Sequence, residues 1–236
     1  MTTPPHTSAL TAWTKWQKSR YTRVTGPQGD LALVETRWTG TEAVSHSAAL
    51  VGQPASVTVT SLSRSDLTTG AEERGIRLWD SNSPAIRAFD HIDVFEYNPS
   101  WIIEATFTPT TEPRTIPFEH LMDNGATREL VVPGDITFTR DGVDYALSAF
   151  DDDGKLLLSF ADATNGGLSY GAGRFLVVAR TNDPTRVVLD FNQAYVPPCG
   201  FSGQYNCPLP PRQNRFADEI RAGEKKPVFR NGYTVL

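Results

Sequence analysis

Near the start of the chain Leu10, Trp13 and Trp16 recur at i, i+3 and i+6, with Lys15 and Lys18 between and beyond them. That spacing lays three apolar side chains along one stripe and predicts a short amphipathic helix from Ser8, as N-cap, to about Arg20. Residues 1–7 read as a frayed tail. After Gly26-Pro27-Gln28-Gly29 the period drops to two. Segments 31–38, 55–62, 75–79, 92–97 and 101–108 are short, β-branched or aromatic, and bounded by turn residues. In 101–108, Trp101, Ile103, Ala105 and Phe107 share a face, as a strand requires. Segments 128–133, 135–140, 143–150, 155–160, 173–180 and 186–191 continue the pattern. Asp141-Gly142 and Asp153-Gly154 are hairpin turns, so 135–160 reads as a three-stranded meander.

Some ten short strands with almost no helix predict a mainly β fold, an antiparallel barrel-like or sandwich domain. The region 196–213 holds five prolines and two glycines and reads as an irregular wrap. A short helix is expected after it, with Asn214 as N-cap, Phe216 and Ile220 inward, and Gly223 as its stop. The expected organisation is an N-terminal tail and helix over 1–24, one β-rich domain over 25–226 and a C-terminal tail over 227–236.

With 236 residues, such a domain buries roughly 70–75% of the surface its unfolded chain exposes, so it needs no disulfide or metal. Lys plus Arg is 22 against 27 Asp plus Glu, a net charge of −5. No excess of cations is available to displace counterions from phosphates, which argues against nucleic acid as a partner. No window approaches the roughly 20 apolar residues of a membrane span, and the N-terminus has no secretory pattern. The expectation is therefore a cytoplasmic protein that does not enter membranes. Its two cysteines, Cys199 and Cys207, close a loop short enough to bridge, and a reducing cytoplasm would hold them as thiols.

Gly167-Leu168-Ser169-Tyr170-Gly171 matches G-x-S-x-G, but a strand follows it and no histidine lies beyond His120, so a nucleophile elbow is not expected. Gly166-Gly167 and Gly171-Ala172-Gly173-Arg174 lack the G-K-[ST] or βαβ context of a phosphate cradle. His6, His46, His91 and His120 form no metal motif, and Asp151-Asp152-Asp153-Gly154 reads as a solvated turn. No metal or cofactor is expected, and the sequence names no catalytic residue. The densest polar group comprises Arg174, Asp190, Asn192, Tyr195, Asn214 and Glu224. By strand alternation Asp190 and Asn192 would share a face, with Arg174 as their cation.

The same residues lie in LSFADATNGGLSYGAGRFL (158–176), LDFNQAYVPPC (189–199), CPLPPRQN (207–214) and IRAGEK (220–225). These blocks resemble the signature segments of the bacterial and archaeal family named domain of unknown function 1684. The similarity extends back through GIRLWDSNSPA (75–85), with Val196 and Gly200 as departures from common family residues. The resemblance implies a shared fold and makes the tail a family hallmark, but it brings no catalytic role. It also implies that some members are exported, which leaves a Cys199–Cys207 bridge open. Two functions are consistent with these residues. One is a module binding a small anionic ligand at Arg174, Asp190, Asn192, Tyr195, Asn214 and Glu224. The other is a structural or interaction protein in which they anchor the tail while Trp13 and Trp16 meet a partner. No oligomeric state follows from the sequence.

Overall fold

A computed structural model describes residues 5–112 and 114–235. Helix α1 (Pro5–Thr25) opens it, followed by β1 (Leu33–Gly40), α2 (His46–Ala49), β2 (Val57–Ser65), β3 (Glu72–Asp80), α3 (Pro84–Ala88) and β4 (Phe89–Val94). Seven strands follow without an α-helix between them. They are β5 (Ile102–Pro109), β6 (Thr115–Glu119), β7 (Thr127–Val131), β8 (Gly134–Arg140), β9 (Val143–Ser148), β10 (Phe150–Asp152) and β11 (Lys155–Phe160). Last come β12 (Arg174–Arg180), β13 (Arg186–Asp190) and β14 (Glu224–Phe229). Helix makes up 18% of the chain, well below the roughly one third of an average globular domain. The fold is mainly β.

The helix begins at Pro5, so Ser8 lies inside it and does not cap it, and residues 5–7 are helical; residues 1–4 of the expected tail lie outside the described residues. It also runs on to Thr25, because Val24 continues the stripe of Arg20 at i+4 and is fully buried.

The chain forms two compact units. One holds residues up to Thr14, Ile92–Pro197 and Cys207–Lys226; the other holds Lys15–His91, Pro198–Asn206 and the chain from Pro227. The first is built on a seven-stranded antiparallel sheet in the order β10-β11-β12-β13-β5-β8-β9, curled into a half-barrel. Although β9 and β10 stand at opposite ends of that order, only Ala149 separates them in the chain. Alternation selects the inner face: Leu156, Leu158 and Phe160 pair with Val178, Leu176 and Arg174, while Phe107 pairs with Ile136. These side chains are buried in one core with Leu147, Leu189 and Phe191. The expected three-stranded meander does not form: its middle strand breaks at Ala149 into β9, which pairs with β8, and β10, which pairs with β11, so 135–160 makes two hairpins at opposite ends of the sheet. Both turns are as expected, with Asp141 and Gly142 (φ 51° and 79°), and likewise Asp153 and Gly154, in the left-handed region of tight hairpins.

The expected helix over 214–223 does not form. Arg212–Asn214 is a single 3-10 turn, and the chain then runs irregularly to β14. Phe216 and Ile220 do enter the core, because residues four apart share a face in an extended chain as well as in a helix. Pairing overrides the helical reading: Ala161 N–H donates to Asn214 O (3.1 Å), and Phe216 N–H donates to Ala161 O (2.8 Å). The Asn214 side chain acts as a surrogate peptide group. Its Oδ1 accepts from Ser148 N (2.9 Å), and its Nδ2 donates to Ser148 O and Ser159 O (both 2.8 Å). It thereby links the end of β9 to β11. The proline-rich stretch is ordered in the same way, with Leu121 N–H on Cys207 O and Leu209 N–H on Glu119 O (3.0 and 2.7 Å).

The second unit contains a three-stranded antiparallel sheet in the order β1-β3-β2. One face buries Val57, Ile76 and Leu78 against Ala49 of α2. On the other, Arg64 lies 3.9 Å over the Trp38 ring and pairs with Glu73 at 2.7 Å. Ser202 Oγ donates to Leu33 O (2.8 Å), which ties the 198–206 segment to β1.

Removing the Asn214 amide leaves three buried backbone groups without their partner. Asn214→Ala should lower the unfolding free energy by roughly 3–5 kcal/mol, read from urea titration, with Asn214→Asp intermediate.

Candidate functional site

Arg174 opens β12 directly opposite Phe160, so its side chain points into the core, where it is 0% exposed. Gly173 precedes it at φ +97°, and a Cβ there would sit 2.5 Å from Pro210 and 2.7 Å from Phe160 O. Only glycine fits this approach. The Arg174 Nη2 donates to Asp162 Oδ2 and to Ile220 O, both at 2.7 Å. Its Nη1 donates to Ala222 O and, at 3.2 Å, to Glu224 O. Carbonyls 220, 222 and 224 alternate along the segment, so one side of it faces the guanidinium. The rings of Phe160 and Phe95 lie 5.2 and 5.6 Å from the guanidinium carbon.

Burial pushes the Arg174 guanidinium below its ordinary value, while the charge and hydrogen bond of Asp162 and the charge of Glu224 oppose that shift. An arginine starts so high that it remains a cation. Asp162 is held in turn, its Oδ1 accepting from Thr164 N (2.8 Å) and Ile220 N (3.3 Å). Glu224 Oε2 accepts from Val196 N (2.8 Å), and Glu224 N donates to Ala194 O (2.8 Å). Thus Arg174 and Glu224 do come together, with Asp162 as the arginine's acid.

Asp190 and Asn192 belong to a different group. β13 ends at Asp190, and Phe191–Gln193 is a 3-10 turn, so strand alternation does not relate the two residues. Asp190 instead accepts from Asn192 N (3.1 Å), Asn192 Nδ2 (2.9 Å) and Gln193 Nε2 (2.9 Å). Asn192 also exchanges bonds with both backbone groups of Asn98 (2.7 and 3.0 Å). Its carbonyl accepts from the indole of Trp13 (3.0 Å), which packs on Tyr97 with ring centroids 5.7 Å apart. Trp13 is therefore a half-buried part of this unit's own packing and not an open docking side chain. Tyr195 pairs its backbone with that of Phe175 (2.8 and 2.9 Å) and sets its ring edge-on to the Phe175 ring. Asn214 sits at the β9–β11 seam.

Ser169 is fully buried, its Oγ bound to Thr164 Oγ1 (2.7 Å) and Asn165 Nδ2 (3.0 Å), so the G-x-S-x-G segment is a closed turn. Lys225 and Lys226 both have partners. Lys225 lies 5.0 Å over the Phe95 ring and 3.3 Å from Asp93, while Lys226 donates to Gly167 O. Among the described residues no group of three His, Cys, Asp or Glu side chains is placed to hold a metal. Cys199 and Cys207 are buried and not joined in a disulfide.

His120 carries no signal in the sequence beyond its residue type. It is 8% exposed, its Nδ1 bonded to Phe118 O at 3.1 Å. Burial pushes its pKa below the ordinary 6.5, and the Phe118 carbonyl and Asp123 only partly offset that. The folded protein therefore resists protonation at a pH where the unfolded chain accepts a proton. This contribution to stability is complete above about pH 6.5 and is lost as pH falls through the lower folded value. Between pH 7.5 and 5 the melting temperature should fall further in the wild type than in His120→Gln.

Removing Arg174 leaves the Asp162 charge without its cation, and Asp162 Oδ2 and three carbonyls without this donor, in the core. Arg174→Met should cost roughly 3–5 kcal/mol in denaturant unfolding. Adding Asp162→Asn to Arg174→Met should cost less than the two single changes together.

Residues 87–225, more than half of the chain, match the model of the family described as "Protein of unknown function (DUF1684)". Among solved structures the chain is similar to an uncharacterized protein of Haloarcula marismortui determined by solution NMR. The two are 32% identical over 58% of this chain and 77% of that one, with a TM-score of 0.47. No curated protein matches. The signature blocks that surround Arg174 fall inside the matched span, and the chain belongs to the DUF1684 family.

Proposed function

We propose that this is a structural or interaction protein in which the polar cluster anchors the C-terminal segment to the half-barrel. One observation carries the reading: all four terminal N–H bonds of Arg174 are directed at Asp162 and the carbonyls of 220, 222 and 224. A small anion needs two parallel donors from a guanidinium fork. To free them here would require breaking a buried ion pair and lifting the 220–224 segment out of the core. Asn192 and Asn214 are likewise committed to backbone groups. For the anionic-ligand reading of Arg174, Asp190, Asn192, Tyr195, Asn214 and Glu224 the guanidinium offers only its buried Nε–H, which has no acceptor among the described residues, and a single donor is not a fork.

No described helix is long and apolar enough to cross a membrane. The reading expects the protein in the cytoplasm, where the buried Cys199 and Cys207 would stay thiols.

Native mass spectrometry of freshly purified protein should give the bare polypeptide mass. Phosphate or sulfate should leave the melting temperature of the wild type unchanged beyond a general salt effect. Truncation after Val196 should abolish cooperative melting, since it removes every carbonyl of the cage together with Phe216, Ile220 and Ala222. A retained anion that is lost on Arg174→Lys, or a truncated chain that melts like the full one, would overturn the proposal.

A further inference from the structure

The three-stranded sheet of the second unit has β3 at its centre and two unequal edges. The β1 edge is defended. Its register breaks between Leu33 and Glu35 and again between Trp38 and Gly40. The side-chain carbonyl of Gln204 also takes the Thr36 N–H (2.8 Å), and Thr36 Oγ1 donates to Gln204 O (3.0 Å). Bulges and covering groups are the usual ways a sheet edge is kept from pairing.

β2 has neither. Its nine residues run in unbroken register from Val57 opposite Asp80 to Ser65 opposite Glu72. There is no proline or glycine in the strand, and no charge before Arg64. Along Thr58–Arg64 the backbone bonds run to β3 alone among the described residues, leaving the outer row of N–H and C=O groups open. Thr58, Ser61 and Ser63 are exposed, and Val59 and Leu62 are half-buried. In the first unit, by contrast, the edge strand β10 has only three residues, two of them aspartates.

We propose that β2 is a homotypic docking edge through which two copies of this chain pair antiparallel, merging two three-stranded sheets into one of six. The occupant follows from charge. In an antiparallel pair about a twofold axis placed anywhere from Thr58 to Leu62, Arg64 falls opposite a residue between 52 and 60 of the second copy. Every residue in that range is uncharged, so the self-pairing opposes no like charges. With the axis at Ser61, Leu62 faces Thr60 of the second copy and lies diagonal to its Leu62. An exposed flank of each half-buried leucine is then covered. A twofold of this kind closes at two chains and leaves no edge for further growth on that side.

The test is sedimentation velocity on the full chain from about 1 to about 100 µM, with hydrogen exchange at both ends of the range. The expected result is a monomer–dimer equilibrium with concentration-dependent protection of amides in 58–64. Thr58→Lys combined with Ser63→Lys places like charges across the seam. It should weaken the dimer by roughly tenfold or more while leaving the melting temperature of the monomer unchanged. A monomer throughout the range overturns the proposal and leaves the edge to an extended segment of some other protein. A dimer whose protection lies outside β2, or one the double variant leaves intact, overturns it equally. None of these outcomes bears on the anchoring role of Arg174, which the bound mass and the truncation test separately.

Discussion

A guanidinium with no exposed surface is the constraint around which the half-barrel unit is arranged. Taking such a charge out of water costs several kcal/mol even after relaxation, and its attraction to one carboxylate seldom returns much more than that. The arrangement holds because Arg174 meets Asp162 and three carbonyls at once. Its net contribution to stability is small compared with the cost of taking away any one partner. Its main effect is geometric. It fixes the loop carrying Asp162, the start of β12 and the 220–224 segment against one another, and few alternative packings could satisfy the same charge.

That segment could not be ordered by hydrophobic burial alone, since an irregular chain inside a core brings its own backbone polar groups with it. Around it, side chains that imitate a peptide or a carbonyl serve several buried backbone groups. Asn214 supplies an acceptor and two donations at the β9–β11 seam, and Asn192 does the same for Asn98. Glu224 caps the Val196 N–H. Prolines 208, 210 and 211 reduce the entropy lost on ordering because their φ angles are already restricted in the unfolded chain. Edge-to-face contacts of Phe160, Phe191 and Phe216, with centroids 5.1–6.1 Å apart, fill the space beside the cage.

How much of this the sequence discloses depends on whether a local rule or a distant partner decides each residue. The two hairpins of 135–160 and their Asp-Gly turns are legible because alternation and left-handed turn residues are local properties, whereas the break at Ala149 that sends them to opposite ends of the sheet is set by distant strands. β6 is not, since Pro117 within Thr115–Glu119 demotes a strand in any sequence reading. β14 is hidden in the same way by its lysines and Pro227. The polar residues of the candidate site can be listed from sequence, but their grouping cannot. Alternation assigns Asp190 and Asn192 to one face with Arg174, whereas a 3-10 turn starting at Phe191 bonds the two to each other in a group that does not include Arg174. Phe216 and Ile220, four apart, satisfy helix and extended chain equally, so only the pairing of Asn214 and Phe216 with Ala161 decides between the two.

The signature segments themselves then acquire a physical explanation. Ala-Gly followed by a charged residue occurs twice, at Ala172-Gly173-Arg174 and Ala222-Gly223-Glu224. Both glycines have positive φ, +97° and +79°, and both are crowded. A Cβ on Gly173 would approach Pro210 and Phe160 O, and one on Gly223 would lie 2.5 Å from Ala194 O and 2.7 Å from Phe191 O. Each glycine lets the chain turn against a neighbouring backbone and deliver the next side chain inward, arginine from one segment and glutamate from the other. The requirement for glycine at these places is set by the geometry of burying two charged side chains in one core. A pattern of small residues beside a charge, which in other settings marks a phosphate cradle, here marks a closed internal joint.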